Sequence, residues 1–158
     1  MSKKENKTIP VLIENKKAQH LYKFKELFKA GLILFGDEVK SIKTNKLNLD
    51  GSYIKLKKEE PYLTNLKLPL YHKANINTIK HKPNRDIKIL LNKREIVKIK
   101  AFLDQKTYTA IPTKIFISNN ILKVEFAIAS GKKKFDKRED LKRKDLKRNI
   151  DRKFKLNI

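Results

Sequence analysis

The sequence predicts a mainly β protein: a closed antiparallel β-barrel with flanking helices, followed by a basic C-terminal tail. Two observations point there. Segments with period-two alternation recur along the chain, with one helical stretch between the strand groups. After Gly131 the alternation stops and a run of charge replaces it. The 158 residues, 39% of them hydrophobic, suit one domain with a core rather than two. The expected division is a flexible N-terminus over 1–10, the barrel over 11–130 and the tail over 131–158.

Ordered structure is expected to begin at Pro10-Val11-Leu12-Ile13-Glu14. Asn15 to His20 reads as a polar loop. From Tyr22 to Leu34 the alternation fits a long strand. Tyr22, Phe24, Phe28, Ala30, Leu32 and Leu34 share one parity and hence one face. Leu27 and Ile33 fall on the other, which calls for a bulge or burial on both sides. Gly36 opens a short helix, with Asp37 and Glu38 in its first turn and Lys40 and Lys43 later, as the helix dipole prefers.

Tyr53–Leu56 and Tyr62–Leu68 read as a strand pair, joined by a turn over Lys57-Lys58-Glu59-Glu60 with Pro61 at its end. From Pro69 to Asp86 no period survives. That is longer than most ordered connections. Asn92-Lys93-Arg94-Glu95 fits a capping box, and Ile96, Ile99 and Leu103 follow at helical spacing. Thr109–Ile117 alternates, and so does the run from Leu122 to Ile128. Asn119-Asn120 between them suits a tight hairpin, since Asn tolerates positive φ.

The tail, 131–158, holds thirteen Lys and Arg against five Asp and Glu, or about +8. Leu141, Leu146, Ile150 and Phe154 form a thin apolar stripe. Pairs spaced i,i+4, such as Glu139–Arg143 and Asp140–Lys144, favour helix by a few tenths of a kcal/mol each. Such a segment is marginal alone in water. It is expected to be disordered by itself and helical when bound to RNA.

Charge indicates the partner. Forty Lys and Arg against 17 Asp and Glu give +23. A compact domain so charged repels itself and calls for a polyanion. Nucleic acid is the default, because phosphate contacts release condensed counterions. The rival is an anionic membrane. No apolar run approaches the ~20 residues that span a bilayer. The first ten residues have no apolar stretch after their lysines and do not read as a secretory signal, and Lys155-Leu156-Asn157-Ile158 carries no lipidation motif. The absence of Cys excludes disulfides, Cys-type zinc sites and thiol catalysis. A cytoplasmic RNA-binding protein is expected.

Catalytic machinery is not visible. His20, His72 and His81 are scattered, without a second ligand at metal spacing, and read as polar loop residues. Glycines stand alone at 31, 36, 51 and 131, so no phosphate loop forms. No Ser/His/Asp set carries a nucleophile context. No cofactor, no metal and no enzymatic activity are expected.

Three features invite an RNA reading. Lys132-Lys133-Lys134-Phe135 follows a glycine hinge and sets an aromatic ring among cations. Phe135 could stack on a base or pack on the barrel. Tyr22 could stack likewise, although burial in the core accounts for it more simply. Asn92 is either a helix cap alone or part of a helix start that meets phosphate.

Short segments in order carry a resemblance. They are Asn15-Lys16-Lys17-Ala18-Gln19-His20-Leu21-Tyr22, Ala30-Gly31, Gly36-Asp37-Glu38-Val39-Lys40-Ser41-Ile42, Asn48-Leu49 and Ser52-Tyr53. His81-Lys82-Pro83-Asn84-Arg85, Leu90-Leu91-Asn92-Lys93-Arg94-Glu95, Lys123-Val124-Glu125, Gly131-Lys132-Lys133 and Asp136-Lys137-Arg138 follow. Together they resemble the SsrA-binding protein family, also called small protein B, the bacterial partner of tmRNA. Each piece is weak alone; the ordered set is specific and spans 15 to about 144.

The resemblance implies an OB-like barrel with flanking helices. It implies a monomer that binds the tRNA-like domain of tmRNA and delivers it to stalled ribosomes in trans-translation. The tail would enter the decoding centre, formed by 16S rRNA, and the empty mRNA channel, and fold there into a helix. The family's tmRNA-contact positions map to Asn15, Lys16, Lys17, Tyr22, Glu38, Lys40, Leu90, Asn92 and Lys123. Its ribosome-acting tail positions map to Gly131, Lys132, Lys133, Phe135, Asp136, Lys137 and Arg138. Three residues depart from the family pattern. Lys29 stands where many members carry an acid, and Ile87 where a second Arg is common. Phe135 stands where His or Tyr is common. The competing reading is a ribosomal or ribosome-assembly protein that binds rRNA. A third, an RNA-processing enzyme, lacks the clustered carboxylates or paired His that nuclease chemistry usually needs.

Overall fold

The computed structural model describes residues 10–44, 47–69 and 84–156, without the side chains at 134, 135, 137, 144, 151 and 153–156. His72, His81 and most of the aperiodic stretch lie outside the described residues. Strand β1 is Val11–Glu14 and helix α1 is Lys16–Leu21. Then come β2 (Tyr22–Leu32), α2 (Gly36–Thr44), β3 (Tyr53–Lys57), β4 (Glu60–Thr64) and β5 (Ile87–Leu90). The chain continues with α3 (Lys93–Leu103), β6 (Tyr108–Ser118), β7 (Ile121–Gly131) and α4 (Lys134–Leu156). The protein is mainly β with helices, as its alternation predicts.

The seven strands pair antiparallel in the order β1-β6-β3-β4-β5-β2-β7, and β7 also pairs β6. The hydrogen-bonding circuit from β6 round to β7 therefore closes on itself, with β1 attached outside it. Inside lie Ile54, Leu63, Ile87, Ile89, Ile115, Val124, Phe126 and Ile128, all at most 2% exposed. Phe28 and Phe126 stack with ring centroids 5.5 Å apart. Helices α2 and α3 contribute Ile42 and Ile99 to the same core.

Strand β2 departs from the single face expected of it. Its register against β7 shifts between Phe24 and Glu26. One extra residue reverses the alternation, because side chains in a strand have period two. Phe28 and Ala30 join the main core. Tyr22 and Phe24 instead pack on a second cluster, Ala18, Ile111, Ala127 and Ala129. The small side chains of Ala127 and Ala129 leave room for α1 there.

That cluster also explains the clearest miss of the local pattern. Residues 15–20, read as a loop, hold all but the last residue of α1. Asn15 caps it, its Oδ1 accepting from the Ala18 N–H at 3.0 Å. Strand β5 follows the aperiodic stretch and has only four residues, too few to show alternation against that background.

The strand expected over Tyr62–Leu68 ends at Thr64, where Asn65 turns with φ 59°. Leu66 and Leu68 beyond it stay buried. The β3–β4 turn is tighter than expected: Lys58 and Glu59 take φ of 48° and 65°, and Pro61 sits inside β4 opposite Leu56. The other hairpin forms as expected, with φ of 51° and 59° at Asn119 and Asn120. The Asn92 N–H donates to Glu95 Oε2 at 2.9 Å, as the capping box requires. In β6, a register shift falls between Pro112 and Lys114, where proline has no N–H for the ladder. The tail forms one helix, α4, of 23 residues.

Candidate RNA interface

The predicted contact residues gather in separate places. The first is built around α1. Lys16 is exposed, and Lys17 Nζ donates to Asp50 Oδ2 at 2.5 Å. That bond, with help from Asn48, holds the Asp50 carboxyl below its ordinary value. Tyr22, half buried, pairs with Gly131 across β2 and β7. Lys17, Tyr22, Asp50, Tyr53 and Thr109 line an open cavity of about 420 Å³.

Asn15 plays a different part from its neighbours. It is 6% exposed. Besides capping α1, its Nδ2 donates to the Pro112 carbonyl at 3.2 Å and its backbone N–H to the Thr113 carbonyl at 2.7 Å. The amide is spent inside the protein, where it joins α1 to the bulge of β6. Asn15 thus fixes the start of α1, the helix that carries Lys16 and Lys17.

The second place brings together Leu90, Asn92 and Lys123, which line one cavity with Lys29, Gly31 and Phe116. Lys29 faces Glu125 across the β2–β7 ladder, and Lys123 lies two residues away on the same strand as Glu125. Glu125 is 8% exposed and already paired with Lys114 at 3.2 Å. Leu90 is 56% exposed, an apolar surface beside two lysines.

The third place is α2. Lys40 is exposed, but Glu38 is fully buried. The Arg85 guanidinium donates to both Glu38 oxygens, Nε to Oε1 and Nη2 to Oε2, each at 2.5 Å. The Phe35 N–H donates to Oε2 at 2.8 Å, and the guanidinium carbon lies 4.5 Å from the centre of the Phe35 ring. A carboxylate so enclosed organises the start of the helix. The pairing joins residues 47 apart, and no local pattern predicts it; only the resemblance singled out Arg85.

The tail residues follow the end of β7. Gly131 ends that strand. The Lys132 N–H donates to the Leu21 carbonyl at 3.0 Å. Lys132 Nζ donates to the Gln19 carbonyl at 2.9 Å and to Asp140 Oδ2 at 2.6 Å. Lys133, Asp136 and Arg138 are exposed on or beside the first turns of α4. The side chains of Phe135 and Lys137 lie outside the described residues, so the choice between stacking and packing for Phe135 does not arise from the structure. Asp140, read from the sequence only as the i,i+4 partner of Lys144, is the partner of Lys132.

Other lysines on the β3–β4–β5 face are neutralised. Lys57 and Lys55 both reach Asp86, and Lys88 pairs with Glu60 at 2.5 Å. Hydrogen bonds from these cations raise Lys57 and Lys88 and lower Asp86 and Glu60 relative to their ordinary values. Among the described residues no three His, Asp or Glu gather as a metal set, and no helix is long and apolar enough to cross a membrane.

A sequence model of the SmpB protein family matches residues 12–156. The chain is 43% identical to the SsrA-binding protein of Geobacillus thermodenitrificans over 145 residues, 92% of each chain. It is 43% identical to that of Thermoanaerobacter pseudethanolicus over 155 residues, 98% of this chain and 96% of that one. It also resembles a solved chain described under "tmRNA-SmpB: a journey to the center of the bacterial ribosome", with a TM-score of 0.65 and 34% identity. That likeness covers 84% of this chain and 94% of the other. By residue match along nearly its whole length, and by fold, the chain belongs to the SmpB protein family.

Proposed function

We propose that this chain binds tmRNA and carries it to stalled ribosomes for trans-translation. Membership in the family is the observation that carries the reading. The geometry supports a division of work between a folded body and a basic helix. The body, 11–130, is read as an OB-like barrel that holds the tRNA-like domain of tmRNA. Lys16, Lys17 and Tyr22 would meet it near α1, with Lys40 on α2. Leu90, Asn92 and Lys123 would meet it beside α3. Asn15 and Glu38 serve the same surface from inside, by fixing α1 and α2.

The tail, 131–158, works on the ribosome. Gly131, Lys132, Lys133, Phe135, Asp136, Lys137 and Arg138 form its root, and the basic helix beyond enters the decoding centre and the mRNA channel. Past its first turns the helix is marginal in the free chain and is completed when its cations meet rRNA phosphates. The protein acts in the cytoplasm as a monomer on its RNA. It positions RNA and catalyses nothing.

The test is recovery of the tagged full-length chain from cells, followed by RNA sequencing. tmRNA in near-equal amount supports the reading. A chain that follows ribosomal subunits in cells lacking tmRNA is instead an rRNA-binding ribosomal or assembly protein.

A further inference from the structure

A 23-residue helix with little apolar surface needs something to start it, since the first turn fixes several residues for one hydrogen bond. The structure supplies a starting point outside the helix. Lys132 precedes α4 by two residues, and its side chain is only 18% exposed. Its ammonium donates both to the Gln19 carbonyl in α1 and to Asp140 in the second turn of α4. Its backbone N–H donates to the Leu21 carbonyl, at the end of α1. One lysine thus ties the body, the linker and the new helix together. The lysine's hydrogen bond holds the Asp140 carboxyl below its ordinary value, with Arg143 and His20 adding to the effect.

We propose that Lys132 and Asp140, anchored on the Gln19 carbonyl, form a latch that seeds α4 and sets the direction in which the tail leaves the body. Asp140 is then a positioning residue for the tail, acting through Lys132 rather than on RNA. The latch goes beyond the reading of tmRNA delivery and stands or falls without it. It predicts that Lys132 is not interchangeable with the exposed Lys133 beside it.

The chain contains no Cys, so two introduced cysteines take spin labels cleanly. Val97→Cys on α3 and Lys142→Cys on α4, just past the two turns that the latch holds, are both at exposed positions. Electron–electron resonance on the full-length, RNA-free protein reads the distance between them. A single narrow distribution is expected, at least twofold broader in Asp140→Asn and narrow again in Asp140→Glu. Glu139→Gln, the same loss of charge one residue earlier, leaves it narrow. The latch is overturned if the starting protein is already broad, if Asp140→Asn leaves the width unchanged, or if Glu139→Gln broadens it as much.

Discussion

Arg85 grips Glu38 with both edges of its guanidinium, through two bonds of 2.5 Å to a carboxylate that is completely buried. Such a pair adds little over a well-packed apolar core, but removing one partner strands a charge. Arg85→Ala is expected to cost about 3 kcal/mol in urea unfolding. Glu38→Gln combined with Arg85→Met should cost less than Arg85→Ala alone, because no charge is left without a partner. A loss below about 0.5 kcal/mol in Arg85→Ala would show that Glu38 finds other compensation.

Asn15→Ala removes the cap of α1 and leaves the Pro112 carbonyl without its amide donor. The expected loss of stability is about 1–2 kcal/mol. Binding of tmRNA should weaken with it, because α1 carries Lys16 and Lys17. Unfolding and binding curves on the same preparation check both; weaker binding with unchanged stability would mean that Asn15 touches RNA itself.

Asp86 is held below its ordinary value by Lys57 first, with Lys55 adding to the effect. A depressed folded pKa means that the carboxylate stabilises the protein above the unfolded value of 3.8. That contribution is lost as pH falls from there through the folded pKa. Asp86→Asn should therefore lose stability at pH 6 and show a shallower further loss below 3.8. Urea midpoints at neutral and acid pH measure this. Parallel curves for the two proteins would refute it.

Lys123 lies beside exposed Leu90 and Asn92, and no carboxylate among the described residues is hydrogen-bonded to it in an ion pair. If it meets one phosphate, Lys123→Ala should reduce the slope of log affinity for tmRNA against log salt by about 0.7–0.9. Lys88→Ala, which removes a lysine already paired with Glu60, should leave the slope unchanged. Equal slopes for Lys123→Ala and the parent would take Lys123 out of the interface.

What could be read in the sequence was what local chemistry decides. The Asn119-Asn120 hairpin, the Glu95 capping box and the start of α2 at Gly36 each need only a few adjacent residues. What could not be read depends on contacts from far along the chain. Helix α1 has six residues and one buried side chain, Ala18, and is held by the bulge of β6 and by Ala127 and Ala129. The change of face in β2 is set by its register with β7.

The site shows the same split. Charge and resemblance identified Lys17, Lys123 and Lys132, but not what each of them holds. Lys17 is paired with Asp50, Lys132 with Asp140, and Glu38 lies beneath Arg85. Ion pairs between residues 33 and 47 apart leave no periodic trace. Buried residues that organise a surface and exposed residues that lie on it look alike in sequence until burial separates them.

The central claim is that the body holds tmRNA while the tail acts on the ribosome. Changing Lys132 and Lys133 together to Ala tests it most directly, with tmRNA affinity and tagging on stalled ribosomes measured for the same protein. The account predicts unchanged affinity and a large loss of tagging. Equal loss of both would contradict it.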